Sequence, residues 1–188
     1  MKFELTALPG VIVVEPDVHL DSRGFFLETY HEEKYAAGGI GLRFVQDNHS
    51  RSSRGSLRGL HAQLDPAQGK LVRVISGEVW DVAIDARVGS PGFGRHVAAT
   101  LSADNFRQLY VPPGFLHGFC VISEMAEVEY KVTAPYRPEG EIAVAWNDPE
   151  LAIPWPVDAP VLSARDAAAP LLAEQRSWLP AWADYPDA

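Results

Sequence analysis

Along most of this chain apolar residues alternate with polar ones, in short runs separated by Gly, Pro, Asp or Ser. That period is the signature of half-buried β-strands. The runs "VIVVE" (11–15), "FFLETY" (25–30), "RFVQDNHS" (43–50), "SLRGLHAQ" (56–63) and "KLVRVI" (70–75) read as strands. So do "EVWDVAID" (78–85), "RHVAATL" (95–101), "RQLYVP" (107–112), "GFCVI" (118–122) and "EVEYKVT" (127–133). So many short strands with tight turns predict an all-β antiparallel sandwich or barrel rather than βαβ units. "SEMAE" (123–127) is expected to connect a hairpin. Helix is expected only in short pieces, at "EEKYAA" (32–37) with Gly38 and Gly39 as its stop, and from Ser163 in "LSARDAAAPLL". With no repeat or linker, residues 1–188 read as a single domain, with a core over about 10–175 and a tail over 176–188.

Alternation also says which side chains look inward. In "EVEYKV", Val128, Tyr130 and Val132 share one face, so Tyr130 points into the interior, where its hydroxyl needs a partner. Lys70 shares a face with Val72 and Val74, at a strand start where it either lines a cavity mouth or reaches solvent. In "SLRGLHAQ", strict alternation puts His61 on the face of Leu57, Gly59 and Gln63, and Arg58 on the other. Both reach one site only if the strand is irregular, and Gly59 is the natural place for a bulge.

Composition narrows the function classes. The 188 residues are 47% hydrophobic, enough for one sizeable core, and carry a formal net charge of −9. Such a chain is not expected to bind nucleic acid or an anionic membrane non-specifically. No apolar run approaches the ~18 residues of a membrane span, and "MKFELTALPG" lacks the apolar core of a signal peptide. The lone cysteine, Cys120, leaves no intrachain disulfide framework, which points to a cytoplasmic location. An anionic ligand remains compatible where cations gather: Arg51, Arg54, Arg58, Lys70 and Arg73 fall close together, and Arg23 precedes Phe25-Phe26. A solvated strand edge explains the same cluster.

Two chemistries suit the histidines. "PPGFLHGF" (112–119) has the Pro-x-Gly-x-x-His spacing of the second motif of cupin jelly rolls, ending on His117. The earlier segment offers only His61-Ala62-Gln63, too few ligands for a metal, so none is expected. Proton abstraction is the other use: a neutral imidazole is a base near neutral pH and needs a carboxylate to orient it. Asp166 is available for His61, although Ser163-x-x-Asp166 is equally a helix-capping pattern. Gln46 and Asn48, on one strand face, either read a base or sugar or hydrogen-bond a turn.

Taken together, "DSRGFFLETY", "FVQDNHSRSSRGSLRGLHAQ", "QGKLVRVISGEVWDVAID", "GSPGFG", "LSADNFRQLYVPPGFLHGF", "EYKVTAPYRPEGE" and "LSARDAAAPLL" occur here in one order over about residues 10–175. In that order they resemble the dTDP-4-dehydrorhamnose 3,5-epimerase family. The resemblance implies a cupin jelly roll without metal or other cofactor, a homodimer with exchanged strands, and a dTDP-4-keto-6-deoxyhexose as substrate. It implies that His61 is the base, Asp166 its paired carboxylate, Lys70 the group near the 4-keto oxygen and Tyr130 the acid on the opposite face, with Arg58 in the same cluster. It places Arg23, Phe26, Glu28, Gln46 and Asn48 at nucleotide-contacting positions, some of them serving the neighbouring subunit, with His117 and Tyr136 also among the substrate-contacting residues. The activity implied is epimerisation at C3, C5 or both. A 3,4-ketoisomerase and a non-catalytic sugar-nucleotide binding protein are the rival readings. This chain departs from the family in carrying Ala62 where an aromatic residue commonly follows the histidine, Tyr110 where Trp is frequent, and Pro135 in place of the first of two tyrosines. Ala62 is expected to leave room for a bulkier or differently placed sugar, and Pro135 to alter base stacking.

Overall fold

A computed structural model describes Met1–Tyr185; residues 186–188, the end of the tail, lie outside the described residues. The chain opens with β1 (Lys2–Leu5), β2 (Ile12–Glu15) and a ribbon of β3 (Val18–Asp21) and β4 (Gly24–Leu27), followed by α1 (Glu32–Ala37). Next come β5 (Gln46–Ser53), β6 (Leu57–Gln63), β7 (Lys70–Ser76), β8 (Glu78–Asp85) and β9 (His96–Ser102). The last strands are β10 (Gln108–Val111), β11 (Phe115–Val121), β12 (Met125–Val132) and β13 (Glu141–Ala143), and the helices α2 (Ala164–Ala167) and α3 (Leu172–Gln175) follow them.

Two antiparallel sheets face each other, a six-stranded one in the order β1-β2-β10-β7-β12-β5 and a five-stranded one in the order β13-β6-β11-β8-β9. From β5 to β12 the chain passes repeatedly between them, the cupin-type jelly-roll arrangement that the family resemblance implies. One expectation fails. The short link through Ser123 and Glu124 is not a hairpin, because β11 and β12 belong to different sheets. A turn joining neighbours and a short crossing between layers look alike in sequence. Here Ser123 Oγ caps the crossing, accepting from the Glu78 N–H at 2.8 Å and donating to the Met125 carbonyl at 2.7 Å.

The alternation sorts side chains into layers. Between the sheets, Val72, Val74 and Val128 of one pack on Val79, Ala83, Phe115 and Phe119 of the other. Burying each of the valines and phenylalanines contributes roughly 1.5–3 kcal/mol. Much of the opposite parity faces outward and is covered by other parts of the chain. Leu60, Ala62, Val82, Ile84 and Leu116 lie under Leu151, Leu172 and Leu179 of the C-terminal segment. Leu71, Tyr110 and Ile12 lie under Tyr35 of α1. The tail docks on its own barrel: Val88 bridges Ala181, and the Arg87 Nη1 donates to the Tyr185 carbonyl at 2.8 Å.

Ala62 therefore packs behind the sheet, so the expectation that its small size enlarges a sugar site is overturned. With His61 facing in, its neighbour faces out. Tyr110 likewise sits in the cluster under α1.

Candidate active site

The sheets part at one end to leave a cleft of about 740 Å³. One wall is the five-stranded sheet, through His61 and Arg58 of β6 and His117 of β11; the other is the six-stranded sheet, through Asn48 of β5, Lys70 of β7 and Tyr130 of β12. Tyr136, Glu141, Arg165 and Asp166 also line it.

His61 and Arg58 share this cleft because β6 is irregular where expected. His117 pairs with His61 but Phe119 pairs with Arg58, so two residues on β11 step past three on β6. Gly59 takes up the extra residue at φ +130°, and a Cβ there would stand 2.6 Å from Gly118 Cα and 2.9 Å from the His117 carbonyl. Only glycine meets both conditions.

His61 Nε2 lies 2.6 Å from Asp166 Oδ1, which leaves Nδ1 as the proton-accepting atom. Asp166 is 4% exposed. Burial pushes its carboxyl pKa up, but the hydrogen bond and charge of His61, with help from Ser163 and Arg165, hold it below the ordinary value. It is therefore ionised at neutral pH, as an orienting partner must be. Its backbone N–H donates to Ser163 Oγ at 3.0 Å, capping α2, while its side chain turns to His61.

On the facing wall, burial pushes the Lys70 ammonium pKa down, and the negative charges of Glu141 and Asp81 oppose that shift. Burial pushes the Tyr130 phenol up, against the nearby Arg58 charge, so Tyr130 holds its proton through neutral pH. The arrangement puts an oriented imidazole on one wall and a protonated phenol and an ammonium on the other. A flat ketone lying between them can lose a proton from one face and regain one on the other.

The residues of the site that the sequence did not single out include Asp81, Glu141 and Arg165. Asp81 is fully buried and accepts from His117 Nε2, with Oδ1 and Oδ2 at 2.9 and 3.1 Å. Its signal was legible, since parity places Asp81 inward between Val79 and Ala83. Glu141 accepts at Oε2 from Arg165 and from the Tyr136 hydroxyl. With both imidazoles engaged by carboxylates through Nε2, no three His, Cys, Asp or Glu side chains group to hold a metal among the described residues.

The basic cluster is divided by the fold. Arg51, Arg58 and Lys70 line the cleft, whereas Arg54 pairs with Glu124 and Arg73 stands beside Phe25 and Phe106 on the other side of β7. Gln46 sits just behind the wall, donating to Asn48 Oδ1 at 2.9 Å and accepting from the Tyr136 N–H at 3.0 Å. Arg23, Phe26 and Glu28 are not brought to this cleft. They lie on or beside the β3–β4 ribbon, where Arg23 pairs with Asp21, Glu28 pairs with Lys34, and Phe26 is 69% exposed.

The sequence profile described as dTDP-4-dehydrorhamnose 3,5-epimerase matches residues 5–174. A dTDP-4-dehydrorhamnose 3,5-epimerase of Pseudomonas aeruginosa is 56% identical over 168 residues, covering 88% of this chain and 93% of that one. The crystal structure of a dTDP-6-deoxy-D-glucose-3,5-epimerase of Legionella pneumophila with dTDP-4-keto-L-rhamnose superposes with a TM-score of 0.92 at 48% identity, covering 96% of this chain and 97% of that one. A 4-keto-6-deoxy sugar epimerase from the novobiocin gene cluster of Streptomyces spheroides also superposes with a TM-score of 0.92, at 41% identity, over 97% of this chain and 94% of that one.

Proposed function

Because this chain belongs to the dTDP-4-dehydrorhamnose 3,5-epimerase family, we propose that it inverts both C3 and C5 of a dTDP-4-keto-6-deoxyhexose, with His61 as base and Tyr130 as acid. It is an epimerase, and because C3 and C5 flank the C4 ketone their hydrogens leave as protons, so the proposed reaction needs no hydride acceptor. The observation that carries the assignment of roles is the His61–Asp166 pair at 2.6 Å on one wall of the cleft, with Lys70 and Tyr130 on the other.

The hydrogens on carbons flanking a ketone are acidic because the carbanion left behind delocalises onto oxygen as an enolate. His61 Nδ1 takes that proton, and ionised Asp166 stabilises the imidazolium formed. Lys70 and Arg58 stabilise the charge that builds on the enolate oxygen in the transition state. Tyr130 returns a proton from the opposite sheet, which inverts the centre. The C4 ketone activates C3 and C5 alike, so one constellation serves both.

The enzyme is read as a single-domain homodimer of the cytoplasm. Arg23, Phe26 and Glu28 then act in the neighbouring subunit's cleft, which suits a ribbon whose Leu20, Phe25 and Phe26 are 78%, 59% and 69% exposed. Cys120 is a buried free thiol, and among the described residues no helix is long and apolar enough to cross a membrane.

Turnover of dTDP-4-keto-6-deoxyglucose in deuterated water tests the reading. Label at C3 and C5 of an inverted product is expected. Label at one centre identifies a mono-epimerase, a shifted carbonyl a 3,4-ketoisomerase, and absence of label a protein without this activity.

A further inference from the structure

The β3–β4 ribbon forms a two-stranded sheet of its own, from Val18 opposite Leu27 to Asp21 opposite Gly24. Such a ribbon is marginally stable alone in water, so a defined position requires a hold at its base. Phe25 gives part of that hold, its ring packed edge-on against Phe106 with centroids 4.8 Å apart. The polar part comes two residues past the end of β4. There the Thr29 carbonyl accepts from Gln108 Nε2 at 2.9 Å and stands 2.9 Å from the Tyr35 hydroxyl. That hydroxyl also lies 3.1 Å from Gln108 Oε1, so its one proton bonds either the carbonyl or the amide oxygen.

Tyr35 and Gln108 are 0% and 1% exposed. Burying a glutamine amide is costly unless its polar atoms find partners, a demand that an apolar side chain does not carry. Gln108 opens β10 inside the six-stranded sheet, opposite Val14 of β2 and Arg73 of β7. It shares with Tyr110 the face of β10 that lies under α1, and it takes no part in lining its own subunit's cleft. The amide therefore ties the chain leaving the ribbon to the middle of a rigid sheet.

We propose that the Gln108–Tyr35–Thr29 network is the fixed root of the β3–β4 ribbon, which makes Gln108 a positioning residue for nucleotide binding in the neighbouring subunit's cleft. The proposal rests on the reading that Arg23, Phe26 and Glu28 act in that cleft.

Gln108→Met keeps the length of the side chain and removes the amide. KM is expected to rise about 10-fold with kcat within about 2-fold of wild type, the pattern of lost binding rather than lost chemistry. Tyr35→Phe leaves the Gln108–Thr29 bond in place and is expected to raise KM by about 3-fold, so it carries the same test should Gln108→Met fold poorly. Mixed dimers, isolated with two affinity tags, locate the effect. A Gln108→Met chain paired with a His61→Ala chain has its working cleft in the first subunit and an intact ribbon from the second. That dimer is expected to show the wild-type KM. With both substitutions on one chain beside a wild-type partner, the working cleft receives the loosened ribbon and KM is expected to be raised. An unchanged KM in both single variants, or a raised KM in the first mixed dimer, overturns the proposal. Wild-type protein that sediments as a monomer overturns instead the reading on which it rests.

Discussion

Replacing His61 with alanine is expected to abolish deuterium exchange beside the ketone and to lower turnover by about 10³-fold or more, near the upper range for loss of a positioned base. The other candidates on that wall are poorer: Arg58 is a cation, and His117, held by Asp81 as His61 is by Asp166, is the less accessible ring, its side chain 8% exposed against 21%. The variant also leaves Asp166, 4% exposed, without the imidazole that offsets its burial. Folding is expected to survive, because Ser163 still caps α2 through the Asp166 N–H and the core clusters are untouched. Near-normal exchange in a folded His61→Ala variant would remove this residue from the base role.

The second large effect is structural in origin. Gly59→Ala is expected to destabilise the protein by about 3–5 kcal/mol, combining an unfavourable positive φ with overpacking. The added methyl meets the backbone of Gly118 and His117, which cannot rotate away as a side chain would. At roughly 2–4 °C per kcal/mol for a chain of this size, the melting temperature drops by on the order of 10 °C. Activity falls further than stability alone explains, because relief of the contact shifts β6 against β11 and turns Arg58 or His61 out of the cleft. A melting temperature within about 2 °C of wild type, on a scale where that is under 1 kcal/mol, would contradict this account of the bulge.

The same glycine shows how far the sequence could be read. Arg58 and His61 were incompatible on a regular strand, and that conflict located the irregularity before any coordinates did. Parity sends Tyr130 inward, and the same rule places Asp81 between the sheets and Ala62 behind one of them. Sequence proximity misled where parity was ignored: Arg73 is three residues from Lys70 yet faces the opposite side. The link through Ser123 and Glu124 was misread because nothing local separates a hairpin from a crossing between layers. Glu141 closes the stretch "EYKVTAPYRPEGE", but its place in the cleft was not legible, since Arg165, which it accepts from, lies 24 residues away. The ribbon residues Arg23, Phe26 and Glu28 were flagged by family resemblance, and this chain's own cleft does not explain them.

The central claim is that protons leave toward one sheet and arrive from the other. Tyr130→Phe in deuterated water tests it directly, because removing the phenol leaves the His61–Asp166 pair in place. The variant is expected to wash deuterium into the substrate at the activated carbons, by abstraction and return through His61, while inverted product falls by at least about 10²-fold. Inversion at the wild-type rate in that variant would contradict the two-wall mechanism, as would loss of exchange and inversion together.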